Sequence, residues 1–168
     1  MTIRLFAIED WEVVSEIYAQ GVETGTAVFN RCSPSWEEWD VSHLKACRFV
    51  AEKDGKVVGW AALTPVSNRC VDSGVAEASV YVASDYRGCG VGKALLNAVL
   101  DASEKEGFWT LQASILQDNT ASIGLCEACG LRMVGFRERI GRDFNGVWHN
   151  TVLMEKRSRV VEGGCYGK

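Results

Sequence analysis

The chain has 168 residues, 47% of them apolar and 24% charged, which is the size and composition of one ordinary globular domain and not of a disordered or fibrous chain. A formal net charge of −4 speaks against a nucleic-acid surface, which needs a basic face, and no apolar run is long enough to cross a bilayer. Acids enter too early in MTIRLFAIED for a secretory signal, and seven cysteines without framework spacing point to reduced thiols, so a cytoplasmic protein is expected.

TIRLF predicts a short first strand, and Asp10 an N-cap for a helix whose Val13, Val14, Ile17 and Tyr18 share one stripe, with Gly21 and Gly25 ending it. Ser33 followed by Pro34 predicts the start of a second helix through SWEEWDVSHLKAC. Residues 49–51 and 56–63 have strand character and meet at Asp54-Gly55, a strong hairpin turn. A polar loop over 65–74 leads to a strand at 75–83, a helix at about 91–106 and a strand at 109–116. A further helix opens near Asn119 and stops at Gly130, and strands at 132–140 and 147–155 flank a turn at 143–146. This order predicts one α+β domain over 1–156, a three-layer sandwich with a mixed, mostly antiparallel sheet flanked by helices, and a frayed tail over 157–168.

The stretch SVYVASDYRGCGVGKALL, residues 79–96, is the most informative. Gly88, Gly90 and Gly92 alternate with Cys89, Val91 and Lys93 between a strand and a helix, and Arg87 precedes them. Glycines there let the backbone approach a ligand, and the unpaired amides of a helix N-terminus make an anion site. A P-loop needs glycine at 87 and Ser or Thr at 94, where Arg87 and Ala94 stand. A dinucleotide fingerprint needs its third glycine at 93, where Lys93 stands. A glycine turn that binds nothing is the plain alternative.

This set of residues resembles the GNAT N-acetyltransferases, whose acetyl-CoA pattern Arg/Gln-x-x-Gly-x-Gly/Ala is met by Arg87, Gly90 and Gly92. The likeness runs over roughly residues 3–156 and includes the downstream Asn-x-x-Ser as Asn119 and Ser122. It narrows to the phosphinothricin and methionine sulfoximine acetyltransferases through Ile17-Tyr18, Thr26-Ala-Val-Phe29, AEASVYV at 76–82 and Gly146-Val-Trp148. The resemblance implies acetyl-CoA as co-substrate, with its pyrophosphate held by Gly88, Cys89, Gly90, Val91, Gly92 and Lys93. It also implies a pantetheine arm laid along the main chain of Val80, Tyr81 and Val82, contact from Asn119, and a homodimer. As a plain alternative, Asn119 is a helix N-cap.

In VAEASVYVA the alternation puts Glu77, Ser79 and Tyr81 on one face and Ala76, Ala78, Val80 and Val82 on the other. Attack on a thioester needs a neutral amine, so Glu77 is the candidate general base; an exposed or salt-bridged strand glutamate is the alternative. Where family members often carry Tyr or His as general acid this chain has Cys126, a small packing residue in the plainer reading, with Tyr81 or solvent as substitutes. Arg69 is the candidate holder of an acidic substrate group, because its guanidinium matches carboxylate or phosphinate in a bidentate way. Phe29 and Trp148 are candidate walls of an acceptor slot, or core aromatics. Asn150 replaces the acid usual two residues after Trp148's equivalent. Cys126 and Cys129 lack a second ligand pair, and His43 and His149 stand far apart, so no metal is expected. The reading that follows is acetyl transfer to the α-amine of a small amino-acid-like compound. A protein N-terminus, a polyamine or a drug amine, or an acyl-CoA-binding module without turnover, are the alternatives.

Overall fold

The computed structural model describes residues 1–26 and 32–162. Its strands are β1 (Thr2–Leu5), β2 (Phe49–Lys53), β3 (Lys56–Pro65), β4 (Val75–Val82), β5 (Thr110–Leu116), β6 (Arg132–Arg142) and β7 (Trp148–Arg157). They form one sheet in the order β1-β2-β3-β4-β5-β7-β6, antiparallel throughout except between β4 and β5. Alternation along the strands commits this sheet to a core on each face. On one face Val14 and Ile17 of helix α1 (Trp11–Glu23) and Trp39 of helix α2 (Trp36–Ser42) pack on Val50, Trp60 and Ala62. On the other, Val91, Leu95 and Val99 of helix α3 (Val91–Lys105) and Cys126 of helix α4 (Thr120–Ala128) pack with Ala61, Leu63, Ala76, Leu111 and Met154. This is the expected three-layer α+β sandwich.

Local chemistry departs from the sequence reading in several places. Gly21 is buried inside α1 and does not end it; Gly25, at φ +67°, takes the turn beyond. Asp10 precedes α1, but its carboxylate is turned away from the helix. It accepts both Arg4 Nη1 and Nη2 at 2.8 Å and the Ala7 N–H at 2.9 Å. Ser35, not Ser33, caps α2: its hydroxyl accepts the Glu38 N–H at 3.2 Å while Glu38 accepts the Ser35 N–H at 2.8 Å. That helix stops at Ser42, because His43 turns extended and stacks its ring on Trp39 with centroids 4.4 Å apart. Strand β7 runs past the expected boundary to Arg157, and the Ser158 N–H donates to the Trp109 carbonyl at 2.8 Å. Residues 163–168 of the expected frayed tail lie outside the described residues. Among those described, six cysteines are free thiols, and no helix is long and apolar enough to cross a membrane.

Candidate active site

β4 pairs with β3 from Ala76 against Pro65 to Val82 against Gly59. Its parallel pairing with β5 covers only Val75 with Thr110, Ala76 with Leu111 and Glu77 with Gln112. Beyond Gln112, β5 continues to Leu116 against β7. The two parallel strands therefore part at Glu77, and the main chain from 78 to 82 borders a V-shaped gap. Such an edge accepts an extended, amide-bearing chain by strand addition.

The glycine loop stands at the wide end of this gap. Arg87 Nε donates to the Val82 carbonyl at 3.2 Å, which ties the loop to the end of β4. Gly88 and Gly90 have φ of +74° and +83°, and a Cβ on either would meet nothing within 4 Å. Gly90 is the N-cap of α3 and Val91 is buried beneath it, so the first amides of a 15-residue helix are fixed in place. Gly92 works inward: a Cβ there would lie 3.1 Å from Leu125 Cδ2 and 3.6 Å from Val82 Cγ2. Cys89 and Lys93 are exposed. Left-handed turns, open space and fixed amides fit a pyrophosphate group.

Glu77 lies on the α1 side of the sheet, half-buried, and its Oε2 accepts the Gln112 amide N–H at 3.0 Å. Tyr81 shares that face, four residues and about 13 Å along the strand. Its ring stacks on Trp60 at 4.8 Å and meets Tyr18 at 5.0 Å, and burial pushes its phenol well above the ordinary tyrosine range. Val80 and Val82 point to the α3 side, as the alternation requires. Cys126 is 5% exposed in that core, where burial pushes its thiol up to about 11. The Asn119 side-chain oxygen accepts the Ser122 N–H at 3.1 Å, so Asn119 is the N-cap of α4 and Ser122 the residue it caps.

The acceptor candidates are more scattered. Arg69 sits in the loop joining β3 to β4, at the end of the sheet where Thr64 pairs with Glu77. Its side chain is 77% exposed, 3.9 Å from Asp72. Trp148 is exposed at the start of β7, with the guanidinium carbons of Arg139 and Arg142 at 5.5 and 5.7 Å from its ring centroid. Trp148, His149 and Asn150 line a pocket with Gly25, Thr26 and Leu116, just past the end of β5. Phe29 lies outside the described residues.

Two arrangements escaped the sequence reading. One is the Gln112 contact, visible only once β4 and β5 are known to be neighbours. The other is a clamp built by Asn150, whose Oδ1 accepts the Arg139 N–H at 2.7 Å while its Nδ2 donates to Gln117 Oε1 at 2.9 Å. It holds a bulge between Arg137 and Gly141 in which Arg139 takes φ +46°. The substitution of amide for acid at 150 suits this, because a carboxylate has no N–H to donate.

Residues 7–131 match the Acetyltransferase (GNAT) family. The chain belongs to the GNAT acetyltransferases. This GNAT chain is 36% identical over 161 residues to the phosphinothricin N-acetyltransferase of Alcaligenes faecalis, covering 92% of this chain and 81% of that one. It superposes with a TM-score of 0.85 and 28% identity on a phosphinothricin acetyltransferase from Sinorhizobium meliloti in complex with AcCoA, over 99% of this chain and 91% of that one. A ribosomal-protein-alanine N-acetyltransferase from Brucella melitensis superposes equally well, with a TM-score of 0.85 and 30% identity over 94% and 100% of the two chains. The GNAT enzyme is thus an acetyltransferase whose relatives carry different acceptor names.

Proposed function

We propose that this enzyme moves acetyl from acetyl-CoA to the α-amine of a small amino-acid-like acceptor with a further polar or acidic group, of the phosphinothricin, methionine sulfoximine or methionine sulfone type. The observation that carries this reading is the position of Glu77, a carboxylate at the point where β4 and β5 part. The 36% identity to a phosphinothricin N-acetyltransferase supports the choice of acceptor.

When bound, acetyl-CoA supplies an electrophilic thioester carbonyl. Amides 88 to 93 and Arg87 bind its pyrophosphate, and the main chain of Val80, Tyr81 and Val82 orients its extended arm. An amine is largely protonated near neutrality, so Glu77 takes its proton, directly or through a water, and frees the lone pair. The amine nitrogen gains a bond to the acetyl carbon as the carbon–sulfur bond breaks. The sulfur is reprotonated by solvent or by the Tyr81 phenol, which burial keeps protonated. Cys126 has its thiol held in the core and contributes packing. Arg69 holds the acceptor's acidic group, and Trp148 walls its slot beside Asn150.

The enzyme acts as a homodimer in the cytoplasm. Met133, Phe136, Ile140, Phe144, Val147 and Trp148 leave much of the β6–β7 hairpin apolar and exposed, which supports a second copy packing there. A net charge of −4 disfavours nucleic-acid partners. A second reading, acetylation of an N-terminal alanine, draws on the name of the Brucella melitensis neighbour. Thiol release from acetyl-CoA with a panel of amines, followed by mass spectrometry of the products, tests the choice. An N-acetylated phosphinothricin, methionine sulfoximine or methionine sulfone supports the first reading, and the absence of all three rejects it.

A further inference from the structure

We infer that Gln112 is the positioning residue for the Glu77 carboxylate, an inference that rests on Glu77 acting as the base. Four side chains form a row across the sheet on the α1 side: Glu77 pairs with Gln112, Gln112 with Glu155, and Glu155 with Arg132. Gln112 thus stands between two carboxylates. Glu155 is held by the Arg132 guanidinium. The Gln112 amide N–H is given to Glu77 Oε2 at 3.0 Å.

The consequence for the base is geometric. One carboxylate oxygen is fixed by a charge-assisted hydrogen bond, and Oε1, which carries no bond among the described residues, is left for the amine or its water. The rung is the last one before the strands part, so the backbone on both sides is held by ladder pairing where the gap begins. Gln112 is half-buried between Leu111 and Ala113, and its side-chain amide finds its partner in Glu77. Asparagine at 112 is one methylene too short to reach. Glutamate would put a like charge beside the base.

Kinetics of Glu77→Gln, Gln112→Leu and the double variant, with phosphinothricin as acceptor, test this as a cycle. Gln112→Leu is expected to lower kcat roughly 10- to 100-fold through misplacement of the base. KM for acetyl-CoA stays unchanged. In the Glu77→Gln background the same substitution is expected to have no further effect. Gln112→Glu, close to isosteric, keeps the test open if the leucine variant fails to fold. It sets a third carboxylate between Glu77 and the Arg132-paired Glu155, so one of the row retains a proton and the acidic limb of the kcat/KM profile moves to higher pH. An unchanged kcat in Gln112→Leu, an unmoved pH limb in Gln112→Glu, or an equal loss in both backgrounds overturns the positioning role. Glu77→Gln at wild-type rate rejects the base itself, and the inference with it. Impaired Glu77→Gln beside unimpaired Gln112→Leu rejects the inference alone.

Discussion

Gly90 and Gly92 stand two residues apart at the start of α3 and meet opposite surroundings. Gly90, at φ +83°, has open space where a side chain would be, whereas a Cβ on Gly92 would press to 3.1 Å from Leu125. The first glycine faces where a ligand comes and the second faces the neighbouring helix.

Gly90→Asp therefore puts a side chain and a negative charge into the anion cradle without meeting a protein neighbour. It is expected to abolish acetyl-CoA binding by calorimetry while the far-UV spectrum stays native, at a backbone cost of about 1 kcal/mol for the left-handed conformation. Unchanged affinity removes the cofactor from this loop.

Among the described residues, His43 contributes to the pH dependence of stability near neutrality. His43 is half-buried against Trp39, with Nδ1 donating to the Trp39 carbonyl at 2.8 Å; desolvation pulls its pKa below the usual 6.5 against the raising effect of that bond, helped by the nearby Arg48 charge. Below pH 6.5 the unfolded chain takes up a proton that the folded one refuses, so stability is full above that value and falls as pH drops below it. The urea midpoint is expected to fall between pH 7 and 5, and His43→Phe to flatten that slope. An identical slope in the variant contradicts this origin.

Much of this architecture was legible because local chemistry and fold agree. Asp54 and Gly55 both adopt positive φ, as the hairpin turn requires, and the alternation in VAEASVYVA sorted Glu77 and Tyr81 from Ala76 and Val80 correctly. The site was legible only where it is contiguous in sequence. Gln112 was not, because nothing local in LQASI says which strand will lie beside it. The Arg139 bulge was missed because its cause, the Asn150 side chain, sits on the other strand of the hairpin. Asp10 and Ser33 look like caps by residue type, yet Arg4 claims one and the Ser33 hydroxyl donates to the Ser15 carbonyl at 3.2 Å.

Cys126 separates packing from chemistry. Its thiol is buried in the core beneath α4, so Cys126→Ala is expected to leave kcat within about threefold and to cost roughly 1–2 kcal/mol of stability. A large fall in kcat with an intact melting curve promotes the thiol to general acid.

Arg69 bears on acceptor choice. If its exposed guanidinium closes on the acceptor's acidic group, Arg69→Ala lowers kcat/KM for phosphinothricin roughly 10- to 150-fold, the equivalent of about 1.5–3 kcal/mol for a charge-assisted hydrogen bond. Acetyl-CoA affinity barely moves. Equal losses with acceptors that lack an acidic group assign Arg69 to loop support.

Transfer to a small amino-acid-like α-amine is tested by kcat/KM of the wild-type enzyme in parallel for phosphinothricin, methionine sulfoximine, methionine sulfone, spermidine and a peptide with N-terminal alanine. The amino-acid analogues are expected to exceed the other two by at least about tenfold, the effect of one acceptor contact worth about 1.4 kcal/mol. Preference for spermidine or the peptide over every analogue contradicts it.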